Sequence, residues 1–115
     1  MAAKYELKKT KAGFRFHLKA PNGKFLFSSP LHEDHAAAIG TLHLVQKYSA
    51  AELQFEIVQK SKSNFHFVLR APGGEILTQS ERYFSLKGCR NGIASSIAHG
   101  PTARLGERLV AAARR

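Results

Sequence analysis

The chain has almost no cysteine: a single one, Cys89, in 115 residues. An internal disulfide is therefore excluded, and a reducing, cytoplasmic setting is expected. No long apolar run is present either. A membrane-spanning helix needs about 20 consecutive apolar residues, and no stretch approaches that. Met1-Ala2-Ala3-Lys4 leads straight into a strand pattern, so no signal peptide is expected. Acidic residues are scarce, at eight against eighteen Lys and Arg, for a formal charge of +10. Constellations that carry chemistry are missing as well. No Ser/His/Asp arrangement is legible. No glycine loop is built for phosphate, since Pro72-Gly73-Gly74-Glu75 reads as a hairpin turn. The recurring Glu6 and Glu56 are weak grounds for acid/base work without a cleft. The expectation is a non-enzymatic protein with no cofactor.

What is present is repetition, which decides the fold reading. The segment Phe14-Arg15-Phe16-His17-Leu18-Lys19-Ala20-Pro21-Asn22-Gly23 recurs as Phe65-His66-Phe67-Val68-Leu69-Arg70-Ala71-Pro72-Gly73-Gly74. At an offset of 51, eight of the sixteen positions from Phe14 to Ser29 are identical to their partners. Tyr5-Glu6-Leu7 matches Phe55-Glu56-Ile57 after a one-residue slip. Phe-x-Phe-x-Leu is period-two alternation and puts three large apolar side chains on one sheet face. The Pro-Asn-Gly and Pro-Gly-Gly segments are turns: Pro presets φ and Gly accepts a left-handed conformation. Strands are expected near residues 4–9, 14–19 and 24–28, and again near 53–59, 65–70 and 75–79. Loops this short require antiparallel neighbours.

After each third strand the apolar period changes from 2 to 3.6. Asp34 stands at a cap position before Ala38, Leu42 and Val45; Ser85 does the same before Leu86, Cys89, Ile93 and Ile97. Gly40, Gly88 and Gly92 inside these helices suggest close approach of helix to sheet. Gly100-Pro101 ends the second helix. Ala51-Glu52-Leu53 is echoed by Ala103-Arg104-Leu105, so a short edge strand is expected after the second helix. Residues 1–115 read as a single domain of two repeats, about 4–50 and 54–105, with a basic tail over 106–115. That tail is either a last helical turn or two, or frayed.

The pattern Phe-x-Phe-x-Leu-x-Ala-x-x-Gly, with Ser and Tyr downstream and Asn-Gly-Ile inside the helix, resembles the YegP-like family of small bacterial proteins. In the second copy the resemblance rests on Phe65, Phe67, Leu69, Ala71, Gly74, Leu77, Ser80, Tyr83 and Asn91-Gly92-Ile93. In the first it rests on Phe14, Phe16, Leu18, Ala20, Asn22-Gly23, Leu26 and Ser29. The first copy departs from it with His32 where Tyr is usual and Thr41-Leu42 in place of Gly-Ile. The resemblance implies an α+β fold: two β-β-β-α-β units in a single antiparallel sheet, related by a pseudo-two-fold, with both helices on one face. It also implies that the strand after each helix is exchanged between halves, so that the chain is a monomer resembling a fused dimer. It carries over no catalytic residue.

Alternation that turns Phe14, Phe16, Phe65 and Phe67 toward the helices sends Arg15, His17, Lys19, His66 and Arg70 to the opposite face, to which Lys8 adds. That face is either a platform for an anion or nucleic acid, or an ordinary solvated surface. Sheet-based RNA binders stack bases on exposed aromatics. Here the aromatics fill core positions; Phe27 is a candidate for partial exposure as a partner-binding patch or second-face contact, and a satisfied core edge is the plainer account. His32-Glu33-Asp34-His35 with His43 concentrates potential metal ligands, but not at the spacing that aligns two imidazoles on one helix face. A solvated helix start is the plainer account. Cys89 lies on an apolar stripe and reads as a buried, inert thiol. The charge favours an acidic partner. Non-specific nucleic-acid binding and self-association through sheet edges are the alternatives.

Overall fold

The computed structural model describes residues 2–106 and 110–111. Two runs of three strands and a helix follow one another: β1 (Lys4–Thr10), β2 (Gly13–Lys19), β3 (Phe25–Ser28), α1 (His35–Tyr48), then β4 (Phe55–Ser61), β5 (Asn64–Arg70), β6 (Ile76–Gln79) and α2 (Leu86–His99). Two short strands close the chain, β7 (Arg104–Leu105) and β8 (Val110–Ala111). The sheet order is β4-β5-β6-β3-β2-β1-β7, with β8 pairing farther along β1. The two runs meet at its centre through the antiparallel β3–β6 contact at Ser28 and Gln79.

Turn chemistry sets the hairpins. Gly13, Gly23 and Gly74 all have positive φ. At Gly13 a Cβ would also collide with the backbone carbonyl of His32. The helices start where capping residues stand: Asp34 accepts the Ala37 N–H, and Ser85 accepts the Gly88 N–H. Both helices cover one face. One cluster joins Tyr5, Phe16, Leu18, Phe27, Phe67 and Leu69 of the sheet to Ala38, Leu42, Val45, Cys89 and Ile93 of the helices. Matching polar bonds pin the strand ends. Ser29 Oγ accepts the Phe16 N–H at 3.0 Å, and Ser80 Oγ accepts the Phe67 N–H at 2.9 Å.

The structure differs from the sequence reading at several points. The sheet is not wholly antiparallel, because β7 and β8 run parallel to β1. Exchange of the strand after a helix happens on one side only. The segment after α2 crosses to β1, whereas Glu52–Gln54 after α1 forms a 3-10 turn that runs directly into β4. β4 therefore starts at residue 55, two later than expected. Phe27 is buried, as a core edge rather than a partner-binding patch, and Phe25 is the exposed ring of this strand. A bulge opposite Leu18 and Lys19 leaves Leu26 as an extra residue, so Leu26 and Phe27 both face the core and Phe25 turns out. The same slip recurs opposite Leu69 and Arg70, burying Leu77 and Thr78 and exposing Ile76. Of the helix glycines, Gly92 stands against Tyr83 and Phe67 and Gly88 against Tyr83, but Gly40 faces open space. Of the basic tail, residues 107–109 and 112–115 lie outside the described residues; Val110 and Ala111 are strand rather than helix.

Candidate functional site

The sheet face opposite the helices carries the predicted basic residues, but with very different freedom. On β1 and β2 they stand in directly opposed rows: Lys4 with Lys19, Glu6 with His17, and Lys8 with Arg15. Glu6 serves the first two rows. Its carboxylate lies 3.7 Å from Lys4 Nζ, 3.4 Å from Lys19 Nζ and 3.2 Å from His17 Nε2. Partial desolvation would raise the Glu6 carboxyl, but hydrogen bonds from His17 and Lys19 and the Lys19 charge outweigh it and hold it below the usual carboxylate value.

His17 points to this face as expected but is only 5% exposed, with its ring 4.2 Å from that of Phe25. Burial lowers its imidazole below the ordinary histidine value, against the opposing pull of Glu6. At neutral pH His17 is uncharged and donates Nε2–H to the carboxylate. His66 is likewise buried, and burial together with the Lys60 charge lowers it. Neither histidine adds positive charge to the face. Arg70 is occupied: Nε donates to Glu56 Oε1 at 2.7 Å and Nη1 to the Gly74 carbonyl. Of the five predicted residues, only Arg15 is both exposed and, among the described residues, without an ion-pair partner.

Lys8 shares that condition. Two like charges directly across an antiparallel pair disfavour each other, and no described carboxylate stands within ion-pair distance of either. Arg15 also borders a shallow open groove of about 340 Å³ at the β3–β6 seam, lined by Ser28, Ser29, Thr78 and Gln79. Phe25, 41% exposed, lies on the same face with Lys19 Nζ 5.6 Å from its ring centre. Lys8 was legible from its alternation with the other outward residues. Phe25 was not, because the bulge reverses the parity on which the reading depends.

The remaining candidates have structural roles. Asp34 caps α1, and His35 meets Phe14 edge-on. Among the described residues no group of three or more His, Cys, Asp or Glu is placed to hold a metal ion. Cys89 is fully buried, and burial pushes its thiol above the ordinary value, away from the reactive thiolate.

A second surface was missed at the sequence level. The outer edge of β4 is unpaired among the described residues, and beside it an open groove of about 710 Å³ runs beneath α2. Leu53 at its mouth is 96% exposed. No helix of the described residues is long and apolar enough to cross a membrane.

Comparison with known proteins places this architecture. Residues 61–107 match the family described as "Domain of unknown function (DUF1508)". A UPF0339 protein of Pseudomonas aeruginosa, PA0329, is 37% identical over 93% of this chain and 98% of its own. The UPF0339 protein YegP of Yersinia pestis is 38% identical over 84% of this chain and 87% of its own. The solution structure of Escherichia coli YegP, a protein of unknown function, superposes with a TM-score of 0.87 at 30% identity, covering 99% of this chain and 97% of that one. UPF0339 protein SO3888 of Shewanella oneidensis gives 0.83 at the same identity, over 91% of each chain. With an α+β fold shared with solved relatives, and identity sustained over most of its length, the chain belongs to the UPF0339 family that includes YegP.

Proposed function

We propose that this protein is a non-enzymatic binding module whose helix-free sheet face takes an acidic protein partner. The observation that supports this reading is the Lys8–Arg15 row: two exposed like charges, directly opposed and, among the described residues, without an ion-pair partner. An anion seated between them relieves their repulsion and gains two charge-assisted contacts. The surrounding field, from a net charge of +10, speeds the approach of such a partner. A buried, neutral His17 and a saturated Glu6 keep the neighbouring rows out of the contest.

Nucleic acid is the second reading, favoured by Phe25, whose exposed ring beside Lys19 offers a stacking surface. Sheet-based RNA binders stack two or three bases, and this face presents one ring. The acidic-protein reading is therefore preferred.

Fluorescence anisotropy separates the two, with a poly-glutamate peptide and a single-stranded oligonucleotide of equal charge as probes. The expected result is tighter binding of the peptide, weakened by salt and lost in the Lys8→Glu/Arg15→Glu double variant. For the oligonucleotide, each phosphate contact contributes about 0.7 to the logarithmic salt slope. Tighter binding of the oligonucleotide, with that slope reduced by Arg15→Glu, selects the nucleic-acid reading. Binding of either probe that is indifferent to the charge reversals overturns both.

A further inference from the structure

The two outer edges of the sheet are treated differently by the chain. At the β1 edge, Arg104 and Leu105 lie parallel to Lys4 and Tyr5, and the Gly106 N–H donates to the Tyr5 carbonyl at 2.8 Å. Gln46 of α1 reaches over and donates its amide to the Ala103 carbonyl at 2.9 Å. Ala103 is buried in the core, and the Tyr5 hydroxyl donates to the Gly100 carbonyl at 2.7 Å. Under this cover Tyr5 and Leu7 are 0% and 2% exposed.

At the β4 edge the matching residues, Phe55 and Ile57, are only partly buried. The ladder groups there are aimed outward. Phe67 exchanges backbone and hydroxyl bonds with Ser80, and Phe65 exchanges both of its backbone bonds with Tyr83. Those bonds turn the polar groups of Phe67 and Phe65 away from β4. Their cross-strand partners, Ile57 and Gln59, therefore direct their own N–H and C=O groups to the outer side. Beneath α2, the groove is walled by Leu53, Phe55, Ile57, Ala94 and Ile97, and the exposed Glu52 and Arg90 are the two charged residues of its lining.

We infer that the β4 edge and the groove beneath α2 form a docking site for an extended segment of another protein, added as a parallel strand. β7 on β1 shows the geometry of such an addition within this molecule. The occupant places an apolar side chain between Ile57 and Ile97, where Ala94 leaves room. The next side chain on the same face, two residues along, is acidic and meets Arg90. A second copy of this chain is a poor occupant, because two molecules of charge +10 repel. The site lies on the helix side and at the far edge from Lys8 and Arg15, so it stands or falls separately from the proposed anion face.

The test uses the full chain, isotopically labelled for amide resonances, and a blocked heptapeptide with Leu and Glu two residues apart on one face and Thr at the positions between. Saturable shifts are expected at Ile57, Gln59 and from Arg90 to Ile97, with Tyr5 and Leu7 unmoved. Gln59→Pro removes an outward donor that serves no internal bond, and Ala94→Glu places a repelling charge in the groove. Each is expected to weaken binding at least about tenfold, the worth of one good hydrogen-bonded contact, while leaving the β1-edge resonances in place. The inference is overturned by an absence of shifts at millimolar peptide, or by shifts confined to Lys8 and Arg15. It is overturned equally if a Lys-for-Glu peptide binds as well, or if peptide-free shifts at β4 rise with protein concentration alongside a doubled sedimentation mass.

Discussion

Ser29 and Ser80 do the same work at equivalent ends of the sheet. Each hydroxyl accepts a buried backbone N–H and donates to the carbonyl of the next residue, Pro30 or Glu81. Replacing either with Ala strands a buried donor, which costs about 1–3 kcal/mol. Urea denaturation of Ser29→Ala and Ser80→Ala is expected to show that loss in both, with an unchanged slope. The glycines of the helices diverge. Gly40→Ala adds a methyl in open space and is expected to stabilise by about 0.5–1 kcal/mol through helix propensity alone. Gly92→Ala drives a methyl into the Tyr83 ring and is expected to destabilise, read as a lowered thermal midpoint beside a raised one. Histidines give the pH dependence. His17 and His66 have folded values below the ordinary 6.5, so the unfolded chain binds their protons more readily. Their contribution is present above pH 6.5 and is lost as pH falls below it. Glu6, lowered from 4.5, adds a further loss at more acid pH. Denaturation midpoints are expected to fall from pH 7 to pH 5, and His17→Gln is expected to flatten that fall.

At the scale of elements, the strand and helix order was legible because composition and position agree. Phe14, Phe16 and Leu18 alternate where β2 lies, and Asp34 and Ser85 stand one residue ahead of α1 and α2. Parity failed at β3 and β6, where a bulge lets Leu26 and Leu77 share the core side with the residue that follows each. No residue type announces that bulge: Phe25-Leu26-Phe27 reads equally well in either phase. Outward direction was also taken for availability. His17 points outward, yet Phe25 and Glu6 close over it, and Arg70 is held by Glu56. These are contacts between strands, which a pattern along one strand does not contain. The groove was illegible for a related reason. Ala51-Glu52-Leu53 and Ala103-Arg104-Leu105 look alike, but one leads directly into β4 and forms a 3-10 turn, while the other has a free sheet edge to join.

For the molecule as a whole, the two faces and two edges of the sheet divide the possible partners. The helix-side core is closed, the opposite face offers Lys8 and Arg15, and the β4 edge offers a ladder and a groove. The asymmetry of the edges bears on assembly. Strands that join sheets end to end build fibres when both edges of each unit can be extended. Among the described residues, one end of the sheet finishes in β7 and β8, two residues each, and the other presents a full seven-residue edge. Pairing of copies through the long strands of the described residues uses β4 twice, head against head, and is complete at two. One short C-terminal crossing thus works as a chain terminator, leaving the described residues of a strongly β molecule one long edge on which to add a strand.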